Sequence, residues 1–457
     1  MDTSYDVRIY KTDVYKGKRT TTYNVRWSVG GRRFKEPFKT TALAESFRSE
    51  LVAAARKGEA FRVEDGQPVS AARASKETPW FTLACDFADM KWPRSAATTR
   101  RTHAEALMTA TLAMLTNIGG RPESEVLRRA LGRWAFNPVL RDRDDRPEDI
   151  VRALDWLKRG TLPVSALRKP DILRALLDGL TRKVDGEQAA PSVVSRKRRI
   201  IGTLMEYAVE RGVLDENPIP ALKWSAPQTS QGIDRRRVAN PVQARTLIQS
   251  VGTQRRSGPR LVAFFGCLYY AALRPEEAVA LNKHDLSLPA AGWGTLYVGR
   301  AEPYAGRHWT DSGKNRDARQ LKQRARGEVR PVPSPPELTA LLHAHMKQFG
   351  TAPDGRLFRG ERNGEELPKL TIIRAWKRAR LETFTPEVAA TPLAGTPYDL
   401  RHAAVSTWLN GGVPATTVAE WAGHSVEVLL KIYAKCLYGS DVLTQQRVQA
   451  ALGHRTG

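Results

Sequence analysis

Residues 396–433 read TPYDLRHAAVSTWLNGGVPATTVAEWAGHSVEVLLKIY, and the rest of the 457-residue chain is organised around them. Arg401 lies in a helix whose apolar positions recur at helical spacing. Gly423, His424 and Ser425 make a turn, and a lone tyrosine, Tyr433, follows nine residues after the histidine. The matching upstream piece is Ala272-Leu273-Arg274-Pro275-Glu276-Glu277, a second arginine that opens a helix.

Working outward, composition narrows the partner. Lys and Arg number 73 against 48 Asp and Glu, a formal net charge of +25. Such an excess favours a polyanion, because neutralising phosphates releases condensed counterions. The charge is spread along the chain rather than set on one amphipathic helix, which disfavours a membrane surface. Residues 1–20 are polar and charged, unlike a signal peptide. The longest apolar run, 261–273, has 13 residues, short of the ~20 that span a bilayer. The expectation is a cytoplasmic protein associated with the bacterial nucleoid. Cys85, Cys267 and Cys436 have no framework or metal-ligand spacing and are expected as reduced thiols. No P-loop and no carboxylate cluster suited to Mg²⁺ occurs, so chemistry on DNA is expected to proceed without ATP, metal or any other cofactor.

The length suits two to four domains at ~150 residues each. Residues 5–10 and 23–29 alternate as strands, and Gly30-Gly31 turns into a third over 32–35. A helix over 41–56 follows, with apolar Leu43, Phe47, Leu51 and Ala55. A three-stranded sheet plus helix bearing Arg26, Arg32, Arg33 and Lys35 suits a DNA groove, although a solvated basic face would look the same. Residues 64–78 read as a linker. Residues 79–225 read as an all-α bundle, with Arg100 and Arg101 near the start of one helix. Arg196, Lys197, Arg198 and Arg199 open its last helix, over 191–210. The stretch 117–188 has no functional assignment. After a second linker ending in Arg235-Arg236-Arg237, Asn240-Pro241 opens a mixed, mainly helical unit with strands near 295–299 and 328–333. The fold class expected is therefore multidomain α+β, with domains at 1–65, 79–225 and 236–457.

Arg274, Arg401, His424 and Tyr433, in that order and spacing, resemble the catalytic domain of the tyrosine recombinases, the phage-integrase family. The resemblance is strong over 241–440, moderate over 79–225 and weaker over 5–63. It implies an arm-type DNA-binding domain, a core-binding domain and a catalytic domain. It also implies a homotetramer on double-stranded attachment-site DNA, with DNA-bending and excision proteins as possible accessories. Cutting a phosphodiester without metal or ATP needs fixed cations, an activated nucleophile and a proton for the leaving oxygen. Two planar guanidinium forks suit the first task, and Arg274 and Arg401 are the candidates. Glu277 is placed to brace Arg274 across one turn. The resemblance makes His424 a phosphate donor and Tyr433 the nucleophile, with Tyr438 a distant second. Attack would give a 3′-phosphotyrosine, whose bond energy lets the strand be rejoined.

Two departures stand out. Ala272 occupies a position where the family has glycine, and Tyr398 one where it has histidine. Tyr398 can hydrogen-bond to phosphate but, with an ordinary pKa of ~10, is a poor base at pH 7. His402, about 100° round the helix from Arg401, is expected to be structural. The general acid expected from the resemblance is Lys322, on a hairpin lengthened by 301–320, with Lys314 as fallback. The competing functions are a non-catalytic DNA-binding regulator descended from a recombinase and a type IB topoisomerase.

Overall fold

The computed structural model describes residues 2–16, 21–69, 77–183, 186–228, 232–321, 327–361 and 364–433, with 445, 448–449 and 452. It is multidomain α+β, and its described residues build three apolar cores.

In the first, strands β1 (Val7–Ile9) and β2 (Asp13–Lys16) pair in succession along one edge of β3 (Thr21–Val29). The other edge of β3 pairs with β4 (Arg32–Phe38). The sheet thus has the expected three ribbons, except that the first is broken and Asp13–Lys16, not foreseen, supplies its second half. Strand alternation sends Val25, Trp27 and Val29 inward against helix α1 (Thr41–Arg56) and leaves Arg26 outward.

The second core is a helical bundle: α2 (Trp80–Lys91), α3 (Ala97–Ala113), α4 (Glu148–Arg159), α5 (Pro170–Gly179) and α6 (Pro191–Glu210). Pro191 at the first turn suits the start of α6, where its missing N–H costs nothing. Val194, Ile201, Leu204, Met205 and Ala208 then form its buried stripe. Trp80 is fully buried, and its Nε1 donates to Thr111 Oγ1 at 3.0 Å, so the indole's one polar atom is satisfied. The stretch 117–188 is core material here: Trp134, Phe136, Ile150, Trp156 and Leu173 all pack inward.

The third core begins at α7 (Pro241–Thr253), where Asn240 and Gln243 form a reciprocal capping box. Helix α8 (Gly258–Tyr270) is buried along most of its length between α7, α9 (Pro336–Phe349) and α11 (Asp399–Asn410). A small antiparallel sheet, β5 (Leu286–Ser287), β6 (Gly294–Val298) and β7 (Arg330–Ser334), has β6 in the middle. Helices α10 (Lys369–Thr383), α12 (Ala415–Ala422) and α13 (Val426–Tyr433) complete the unit.

Between β6 and β7 the chain makes an excursion. It opens as a two-residue ribbon, Arg300–Ala301 against Arg319–Gln320, and its loop crosses to the helical bundle. Ala305 and Trp309 are buried in the bundle's core, with Trp309 5.9 Å from Trp92 ring to ring. Asn137 Nδ2 donates to the His308 carbonyl at 2.7 Å, and Ala97 N donates to Asp317 at 3.1 Å. The two stretches left without assignment in the sequence, 117–188 and 301–320, therefore meet each other. No helix among the described residues is long and apolar enough to cross a membrane.

Candidate active site

The site lies where α11, α12 and α13 meet the end of α8 and the strand β7. Helix α8 stops at Tyr270, and Ala272 takes a left-handed backbone (φ 48°), which L side chains rarely adopt. That turn aims Arg274 inward and presents the Ala272 carbonyl to Arg401. Glycine would enter that conformation without strain.

Arg274 caps the short helix Pro275–Ala278. Its Nη1 donates to Glu277 Oε1 at 2.6 Å and its Nη2 to the Gly423 carbonyl at 2.8 Å. Glu277 also accepts from the Arg274 backbone at 3.0 Å. On its other side Arg330 Nη2 donates to Glu277 Oε2 at 2.7 Å, and both side chains are 1% exposed. Burial pushes the Glu277 carboxyl up, but Arg330 and Arg274 overcome it and hold it at about 2. Arg274 itself is held above its ordinary value, because Glu277 outweighs the effect of burial. Arg330 is not among the residues that the sequence singles out. Its phase on β7, with Val332 and Ser334 also buried, was the available signal for an inward arginine needing a carboxylate.

Arg401 is fully buried and bonded to neutral groups. It donates through Nη1 to the Ala272 carbonyl and through Nη2 to the Ala422 carbonyl at 2.5 Å and to His424 Nε2 at 2.9 Å. Burial and the repulsion of Arg274 lower its pKa, yet a guanidinium stays protonated. Because arginine only donates, His424 Nε2 must be the acceptor and its proton must sit on Nδ1. Burial and the surrounding arginines hold His424 at about 3, so it is neutral at pH 7. Gly423 (φ 67°) turns the chain here, and an added Cβ would stand 2.1 Å from Arg330 Nη1. Only a glycine lets the two arginine networks close on each other at this point.

Tyr433 is fully buried in this cluster, its ring 6.2 Å from His424 and 5.7 Å from His402. Its hydroxyl lies 2.8 Å from His402 Nδ1. The structure thus places His402 against Tyr433, a contact that its angle from Arg401 does not reveal. The 100° turn does separate it from Arg401, but α13 packs on the flank of α11, so neighbouring residues face different parts of one site. Burial lowers His402 to about 4, with Asp399 opposing and Arg401 and Arg237 reinforcing. Tyr398 stacks edge-on against His402 at 5.0 Å and lines a cleft with Pro275, Glu276, Arg316 and Lys369. Arg237, from the second linker, donates to the buried Asp399 at 3.1 Å and so ties that linker to α11. Lys322 and Tyr438 lie outside the described residues. Lys314 is exposed, at the turn of the excursion. Among the described residues no group of three or more His, Cys, Asp or Glu is placed to hold a metal ion.

The basic residues singled out in the sequence divide. Arg26 and Lys35 are paired in register and face outward, as does Arg33 opposite Ser28, although Arg26 also bonds Asp13 at 2.7 Å. Arg32 lies opposite Val29, on the helix-facing side of the sheet, yet is exposed, with its guanidinium 5.8 Å from the Phe34 ring. Arg100 and Lys197 are corrections. Arg100 is 6% exposed; it donates to the Trp309 carbonyl at 3.0 Å and pairs with Asp311 at 2.6 Å. Lys197 is 3% exposed and donates to Thr109 Oγ1 at 3.1 Å, and burial lowers its pKa. Helical phase explains both: Arg100 falls between Ala97 and Ala104, and Lys197 between Val194 and Ile201, on buried stripes. Arg101, Arg196 and Arg199 are exposed, and Arg198 is half-buried.

No family model and no curated protein matches the chain. Among solved structures it is similar to the Tn1549 transposon integrase in complex with transposon right end DNA, at 15% identity over 69% of this chain and 97% of that one (TM-score 0.48). It is similar also to the XerH site-specific recombinase bound to a difH substrate, at 12% identity over 82% and 96% (TM-score 0.46). A third is a lambda integrase tetramer bound to a Holliday junction, at 12% identity over 92% and 97% (TM-score 0.44).

Proposed function

We propose that this chain is a tyrosine site-specific recombinase, an integrase that cleaves and rejoins DNA through a 3′-phosphotyrosine. The observation that carries this is convergence. Arg274, Arg401, His424 and Tyr433 come from three stretches of chain and meet in one buried cluster that also contains Glu277 and Arg330. Three guanidiniums stand there with one carboxylate, which pairs with two of them, leaving positive charge uncompensated where a phosphate would sit. Arg401 Nε and His424 Nδ1 are buried and have no hydrogen-bond partner among the described residues. Such donors are rare unless a ligand completes them, and a phosphodiester oxygen is the acceptor that fits.

In this reading Tyr433 attacks phosphorus, Arg274 and Arg401 hold the non-bridging oxygens, and His424 donates from Nδ1. Lys322 is the proposed acid for the leaving 5′-oxygen, and Tyr398 lines the entrance. Tyr433 retains the bond energy as a phosphodiester, so a second 5′-hydroxyl can reverse the step. Glu277 is the support for both Arg274 and Arg330. The outward row of Arg26, Arg33 and Lys35 is proposed to track arm-site phosphates, and Arg101, Arg196, Arg198 and Arg199 those of the core site. A tetramer on two DNA sites is the proposed working assembly.

The test is a nicked suicide duplex, chosen by the full-length protein from a randomised pool and incubated with it without metal. The expected result is a covalent adduct on a denaturing gel that Tyr433→Phe abolishes. Retained binding without any adduct would instead make this a DNA-binding protein that does not cut. Relaxation of plasmids lacking any selected site would indicate a topoisomerase.

A further inference from the structure

The nucleophile needs a proton acceptor, and the residue at the family's usual position is a phenol. Tyr398 does not occupy that role easily, since it has the same kind of hydroxyl as the group it would deprotonate. One turn further along the same helix, His402 reaches the Tyr433 hydroxyl with Nδ1 at 2.8 Å. The two rings that flank His402 fix its orientation, Tyr398 at 5.0 Å and Tyr433 at 5.7 Å.

We propose that His402 is the general base of this site, taking the Tyr433 proton during cleavage and returning it during rejoining. The proposal rests on the recombinase reading above. In the forward step the Tyr433 Oη–H bond breaks as Oη–P forms, and the proton passes to His402 Nδ1. The P–O5′ bond breaks with its electron pair on O5′, which leaves as a hydroxyl with a proton from the acid. Rejoining runs the same steps backward, with protonated His402 now the acid for the departing tyrosine. Bond formation to phosphorus draws electrons from the phenol oxygen, so its proton is released to a base far weaker than free phenolate.

The surroundings keep His402 in the accepting form. Along its own helix lie Tyr398, Asp399 and Arg401; from α13 comes Tyr433, from the turn after α12 His424, and from the linker Arg237. Burial dominates, with Asp399 opposing it, and the imidazole stays neutral through the physiological range. Asp399 is itself committed to Arg237 and to the Thr396 backbone, which donates at 2.7 Å. It is therefore held away from the Tyr433 proton.

The experiment uses the full-length protein, the selected nicked duplex and single-turnover adduct formation between pH 6 and 9. Wild type should give a nearly flat profile. His402→Asn and His402→Gln, which keep a polar side chain, should slow adduct formation by about 10²–10⁴-fold at pH 7, the usual contribution of a positioned base. Their rates should rise about tenfold per pH unit, as hydroxide replaces the base, and added imidazole should partly restore His402→Ala. A duplex with a 5′-bridging phosphorothiolate, whose leaving group needs no proton, should not rescue them. Equal slowing at all pH values, or rescue by the phosphorothiolate, would overturn the proposal, and so would a wild-type rate in the folded Asn or Gln variants. If wild type itself forms no Tyr433-dependent adduct, the recombinase reading has failed instead.

Discussion

Arg274 and Arg401 are the same side chain in opposite electrical settings. Arg274 keeps 24% of its side chain exposed and is anchored by a carboxylate that Arg330 anchors from the other side. Arg401 is fully buried, and it donates to two carbonyls and a neutral imidazole. One half of the site is an ion-pair network, two arginines on one carboxylate, that holds itself together. The other is a cation held by dipoles, with its charge left for an incoming anion. A site proposed to bind a phosphate, yet folded without one, benefits from dividing the work this way.

The sharpest way to break the first half is to remove its carboxylate. Glu277→Gln leaves Arg330 buried without a counter-charge and should cost about 3–5 kcal/mol in urea unfolding. A loss under about 1 kcal/mol would mean the network does not hold this half together. Gly423→Ala attacks the point where the halves touch. Its left-handed backbone (φ 67°) and a Cβ placed 2.1 Å from Arg330 Nη1 should together cost about 2–4 kcal/mol. The penalty should shrink when Arg330 is shortened in a double-mutant cycle.

Acid should separate the halves by pH window. His402 and His424 are depressed from 6.5 to about 4 and about 3, so their contribution is present above pH 6.5 and is lost as pH falls through that value towards the folded ones. Between pH 6.5 and 5.5 the two should remove up to about 2 kcal/mol, and His402→Asn should halve that loss. Glu277, depressed from 4.5 to about 2, contributes fully above pH 4.5 and fails only below it. A single acid transition, unaffected by His402→Asn, would contradict this division. The smallest effect is a gain: Ala272→Gly should relieve the left-handed strain by about 0.5–1 kcal/mol, visible as a small rise in Tm.

Sequence order and spacing were enough to pick out residues that the fold brings together at Arg274, Arg401, His424 and Tyr433, because each lies at a helix end or turn with a recognisable local pattern. His402 was passed over because its neighbours were judged round one helix, and the angle from Arg401 says nothing about what packs on the far flank. Arg100 and Lys197 were read as charge when their phase on the helix already set them inward. Arg330 could not be paired with Glu277 from spacing alone, since the partner lies across the core. The excursion at 301–320 has neither helical nor strand periodicity, and two isolated apolar residues gave no sign of where they would be buried.

That excursion has a consequence for how the protein is made. The last helix of the bundle ends at Glu210, but Ala305 and Trp309, which complete its core, are synthesised well afterwards. At about 5–20 residues per second the gap lasts several seconds. Throughout it the nascent bundle exposes an apolar slot beside Trp92 and leaves Arg100 without Asp311. The helical domain therefore cannot mature in the order in which it is translated. A fragment cut at the linker would carry the unfilled slot permanently, and would be a target for chaperones and proteases rather than a free-standing DNA-binding module.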